Sequence, residues 1–194
     1  MGNLLDEIPG YREAIAREGF NRDAAFLDLT ETVGGVELRP MTLLDFLRLD
    51  LAKSPFLHGG IPDAADVGAF LWALSENYNA KDVRGRRKFL KGIRKLRFAE
   101  IVLAIETYID DTLADSPGGH GIAGIPATSW LASMVDSLAV EYGWSESAIL
   151  NLPIKRVFQY QRRIALRRQP TATLFNASDR VRGKWLEELN RGAN

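Results

Sequence analysis

The amino-acid sequence predicts a mainly α protein: a helical bundle of about seven helices with a small N-terminal β-hairpin. Three observations carry this reading. Apolar residues recur at helical spacing in most segments, and Trp130, Leu131, Met134, Leu138 and Tyr142 form the clearest run. Gly34-Gly35, between two short apolar runs, is the one convincing hairpin signal. Glycine or proline marks the segment boundaries at Gly19, Pro40, Pro62, Gly143, Pro153 and Pro170.

The first element is a short helix over 9–19. Pro9 suits its opening turn, Ala14 and Ile15 point inward, and Gly19 ends it. Phe26, Leu27 and Leu29 lead into the hairpin Thr32-Val33-Gly34-Gly35-Val36-Glu37-Leu38, which Pro40 closes. Thr42 caps a helix so rich in leucine that most of it must be buried. A turn-rich link follows, Ser54 to Gly60. Pro62-Asp63 then opens a helix with Val67, Phe70, Leu71 and Leu74 on one face, and Tyr78-Asn79 ends it.

Residues 81–97 carry nine cations against one acid, Asp82, so the local charge is nine minus one, plus eight. The next helix, 98–113, has acidic polar positions at Glu100, Glu106, Asp110 and Asp111. The basic segment could bind phosphates, but a solvated or salt-paired helix face is the preferred reading, and pairing with the acidic helix would fit a net charge of zero. The Gly- and Pro-rich stretch 115–126 reads as a flexible link between an N-terminal part, 1–114, and a C-terminal part, 127–194. That C-terminal part is a helical hairpin and a last helix from Ser178 or Asp179. In the hairpin, Gly143 stops the first helix and Ser145 caps a short second one. A third carries Ile154, Val157, Phe158 and Ile164 inside.

Composition narrows the function classes. A chain of 194 residues buries one sizeable core, and 46% apolar with 26% charged residues is ordinary for a soluble globular protein. There are no cysteines, so no disulfide, thiolate metal site or Cys nucleophile. No apolar run reaches the ~18 residues a membrane helix needs. The start lacks the pattern of a signal peptide, so a cytoplasmic location is expected.

No chemical constellation emerges. Gly119-His120-Gly121-Ile122-Ala123-Gly124 matches the dinucleotide pattern by letter, but an acidic helix and not a strand precedes it, so it reads as linker. His58 and His120 lie in glycine-rich links without carboxylates at ligand spacing. No serine sits in a nucleophile elbow. The expectation is a protein that is not an enzyme and takes no cofactor or metal. Its tentative partner-binding residues are a row on the third helix of the hairpin, Arg156, Arg163 and Arg167, with Trp72 and Trp144 as aromatic anchors. An alternative comes from Ala139, Gly143 and Ile149, at the spacing of a helix-turn-helix. With the basic residues at 81–97 and 155–168 it makes the protein a nucleic-acid-binding regulator, although Pro153 would interrupt a recognition helix at 147–154.

Two stretches resemble small tail assembly chaperones of tailed bacteriophages and prophages. One is Pro40-Met41-Thr42-Leu43 through Ser54-Pro55-Phe56-Leu57 and Phe70-Leu71-Trp72. The other is Tyr142-Gly143-Trp144-Ser145 through Ile149-Leu150-Asn151-Leu152-Pro153-Ile154. The resemblance implies a non-enzymatic, mostly helical morphogenesis factor that binds the tape measure and tail tube proteins in the host cytoplasm. It brings no catalytic residue. Self-association stays open, and nucleic acid ranks below protein as a partner.

Overall fold

The computed structural model describes residues 8–93, 97–116 and 129–171, together with 174, 179, 181–183, 185 and 186. Its elements run α1 (Tyr11–Ala24), β1 (Glu31–Val33), β2 (Val36–Leu38), α2 (Leu43–Leu51), α3 (Pro55–His58), α4 (Ala64–Leu74), α5 (Val83–Ile93), α6 (Phe98–Thr112), α7 (Trp130–Tyr142), α8 (Glu146–Leu150) and α9 (Ile154–Arg168). Asp179, residues 181–183, Trp185 and Leu186 are helical as well. The mainly α fold with one hairpin is therefore the fold observed. The helices outnumber the expected seven, partly because the short α3 fills a stretch read as a link.

Local chemistry explains most boundaries. Gly34 and Gly35 both have positive φ, 56° and 81°, as the two-residue hairpin turn between β1 and β2 requires. Thr42 and Asp45 form a reciprocal capping box at the start of α2, and Asp63 and Asp66 form another on α4. Gly143 ends α7 in the left-handed region, and Ser145 accepts the backbone N–H of Ala148 to open α8.

Two boundaries and the burial of two apolar residues differ from expectation. α1 passes through Gly19 and continues to Ala24. An internal glycine costs only about 1 kcal/mol, and Arg17 and Arg22, on either side of it, are anchored to Asp111 and Asp115. Ile15 is exposed, not inward. α4 ends at Leu74, ahead of Tyr78, because Ser75 turns into a bridge with Leu38 and the Leu74 carbonyl accepts the N–H of Arg39. The leucine-rich α2 is buried at Leu43 and Leu49 but leaves Leu51 in solvent.

One apolar core runs through the molecule. Phe70 sits at its centre between Phe56 and Tyr108, at ring distances of 5.4 and 6.1 Å. Leu38, Leu43, Leu74 and Ile105 contribute from before the 115–126 stretch, and Leu138, Ile149, Ile154, Val157 and Phe158 from after it. Backbone bonds lock the two lengths of chain together. Leu43 donates to Leu152 O at 3.0 Å, and Ile154 donates to Met41 O at 2.8 Å. The expected parts 1–114 and 127–194 thus share a single core. The start of the stretch between them is held too, since Asp115 is buried. Residues 117–128, including the Gly119–Gly124 pattern and His120, lie outside the described residues.

Candidate docking surfaces

The C-terminal hairpin, α7 to α9, folds around an aromatic cluster. Tyr142 stacks on Trp144 at 4.7 Å with an interplanar angle of 19°, and Tyr160 meets Trp144 edge-on at 5.0 Å. Trp144 is half-buried in this stack. Trp72 is buried between Phe89 and Tyr78, so it packs α5 onto α4 and has little surface for a partner. Trp130 is the more exposed tryptophan, lying edge-on to Phe46 at 5.6 Å.

The expected row of three arginines is split by the fold. Arg156 turns into the end of α1. It donates to the Ala25 carbonyl at 3.2 Å and to Asp28 at 2.7 Å, and lies 5.5 Å from the Phe26 ring. Only 17% of its side chain is exposed. Arg167 pairs with Glu141 at 2.6 Å and covers the Tyr142 ring. Arg163 and Arg167 are both exposed, and of the three only Arg163 makes no ion pair among the described residues. The row is a seam between elements, not one continuous surface. α8, between α7 and α9, spans five residues and buries Ile149. It is too short to serve as a major-groove recognition helix.

Asp115 is the polar centre that sequence reading missed. It accepts from Arg22 at 3.3 Å and Gln159 at 2.7 Å, and Arg162 lies 3.7 Å away. This joins α1, the end of α6 and α9. Burial pulls the Arg162 guanidinium below its ordinary pKa, and Asp115 opposes that. The partners stand 93 and 44 residues away in sequence, so no local pattern could have revealed the contact.

Beside this centre lies a cavity of about 340 Å³ between α1, the segment 28–31, α6 and α9. Phe20, Ala24, Leu29, Pro40 and Met41 supply an apolar lining. Arg17 with Asp111, and Lys155 with Glu31, stand on its rim. Phe20 is 68% exposed and Leu29 51%, which is high for residues beside a formed cavity.

Among the described residues, the basic helix α5 makes no ion pair with α6; of the two expected forms, a salt-paired or a solvated face, its cations take the solvated one. Phe89, Leu90 and Ile93 pack toward α4 and the hairpin. Gly68 of α4 permits this approach, since a Cβ there would meet Leu90 Cδ2 at 2.5 Å. Of the α6 acids, Asp111 pairs with Arg17, and Glu100 pairs with Arg97, the last cation of the basic segment 81–97. Among the described residues, Arg84, Arg86, Arg87, Lys88 and Lys91 are exposed and make no ion pair.

His58 faces Asp50 at 2.9 Å in an exposed position. Among the described residues, no group of three or more His, Asp or Glu is placed to hold a metal ion, and no helix is long and apolar enough to cross a membrane. Comparison with protein-family models, curated proteins and solved structures gave no match.

Proposed function

We propose that this protein is a non-enzymatic docking factor for amphipathic helices, acting as a phage or prophage tail assembly chaperone on tape measure and tail tube proteins in the host cytoplasm. The cavity beside α1 supports this reading best. It is apolar at its floor, charged at its rim and flanked by exposed Phe20 and Leu29. An amphipathic helix recognised in a groove needs these features: a pocket for one or two apolar anchors and polar groups around it. The test is co-expression with the tape measure protein encoded beside it. The expected result is co-purification and a gain in that protein's solubility, both lost in Phe20→Asp/Leu29→Asp. Failure of the unaltered chain to co-purify or solubilise overturns the proposal.

A further inference from the structure

We infer that the exposed face of α5 is a sequence-independent contact for the phosphate backbone of nucleic acid. Arg84, Arg87, Lys88 and Lys91 fall within about 100° of the helix circumference at 100° per residue. All four are exposed, and among the described residues none has an acidic partner. The only acid on this helix's approach is Asp82, whose carboxylate is engaged in accepting the Gly85 N–H at 2.8 Å. The four cations span about 10 Å of helix axis, a length over which duplex DNA presents about six phosphates.

The chemistry of this face favours nucleic acid over an acidic protein. A protein interface has an apolar or aromatic centre within a polar rim. Here the apolar side chains of α5, Phe89, Leu90 and Ile93, are half-buried and turned toward the core. Val83, at the first position of α5, is its one exposed apolar side chain, and the arc of Arg84, Arg87, Lys88 and Lys91 is positive. A row of unit charges fits a partner that repeats unit negative charges. The site is separate from the α1 cavity and does not depend on the role given to that cavity.

The experiment is fluorescence anisotropy of the full chain with a labelled mixed-sequence duplex of about 20 base pairs, across about 50 to 200 mM NaCl. Binding is expected in the micromolar range at the lowest salt. With four phosphates neutralised, the log–log salt slope is near −3.6, so affinity falls roughly 10²-fold over that range. Changing the duplex sequence should leave it within about twofold, since phosphate contacts carry no sequence information. The variant R84E/R87E/K88E/K91E should lose binding, with its far-ultraviolet circular dichroism unchanged. If that variant fails to fold, Lys88→Ala and Lys91→Ala each reduce the salt slope by about one. Arg163→Glu, on α9, should leave binding unaltered. No binding at the lowest salt, or binding that survives both sets of α5 variants, overturns the inference. So does polyglutamate of matched charge competing as well as DNA, because it identifies an acidic protein as the partner.

Discussion

Arg39 grips Asp45 through both guanidinium nitrogens, Nη1 to Oδ2 at 2.5 Å and Nη2 to Oδ1 at 2.9 Å. Asp45 is 3% exposed and also receives the Thr42 N–H and hydroxyl, so one carboxylate serves as both ion-pair partner and helix cap. Burial works to raise its pKa, but the bonds from Arg39 and Thr42 win and the carboxyl is held below its ordinary range. Asp45→Asn should cost about 3 kcal/mol at neutral pH, the bottom of the range for unpairing a buried charge, because Arg39 keeps some contact with water. The folded pKa lies below the unfolded value of about 3.9. The stabilisation is therefore complete above that value and lost as pH falls through the folded one. Urea midpoints from pH 5 to pH 2 should fall less for Asp45→Asn than for the unaltered chain. Parallel curves would show that Asp45 is not the group being titrated.

Tyr108 has the opposite sign. Its hydroxyl accepts the Met41 N–H at 3.1 Å beneath the β2–α2 junction, and its ring packs on Phe70. Burial, chiefly, pushes the phenol well above its ordinary range. A raised folded pKa means that its contribution is whole below the unfolded value of about 10 and drains away as pH rises beyond it. Tyr108→Phe keeps the ring and strands the Met41 N–H, at about 1–2 kcal/mol near neutrality. Above pH ~10 its stability should decline less steeply than that of the unaltered chain. Difference absorbance of phenolate formation, followed against unfolding, checks the assignment.

Asp115 fastens α1, which buries little of its own surface; Glu18 is the one buried residue within it. Asp115→Ala removes the common partner of Arg22, Gln159 and Arg162. The expected loss is about 2–4 kcal/mol, since Arg162 is left a largely buried cation. Amide exchange should rise first along α1, while α4 and α6 stay protected. Uniform acceleration across all helices would show that Asp115 supports the whole core instead.

What the sequence made legible is local. The Gly34-Gly35 turn, the Thr42 cap, the Gly143 stop and the Ser145 start each depend on residues within a turn of one another, and each is where it was expected. The failures are all long-range. Gly19 looked like a helix end because nothing nearby tells of Asp111 and Asp115 holding the chain on either side of it. A basic segment followed by an acidic helix suggested mutual pairing, yet charge counts contain no direction. Packing of Phe89 and Leu90 toward α4 turns the cations of α5 away from those acids. The cavity beside α1 had no signal, since its walls come from five separate stretches of chain.

The arginines of α9 separate docking from packing more sharply than sequence spacing allows. Arg156, Arg163 and Arg167 share a face by periodicity, yet each has a different environment. Arg156→Glu forfeits bonds to Ala25 and Asp28 and the contact with Phe26, and sets a second carboxylate beside Asp28. It should cost about 2–3 kcal/mol, with more of the loss from the partly buried charge pair than from the ring contact. Arg167→Glu breaks a surface pair with Glu141 and should cost about 1 kcal/mol or less. Arg163→Glu should change stability by no more than about 0.5 kcal/mol. Thermal melts of the three single variants test this order. Partner binding then has a clear reading: a defect in Arg163→Glu at unchanged melting temperature reports docking through α9. A defect confined to Arg156→Glu, together with a lowered melting temperature, reports the loosened end of α1 beside the Phe20 and Leu29 cavity. Equal melting temperatures for Arg156→Glu and Arg163→Glu would show that α1 does not rest on α9 through Arg156.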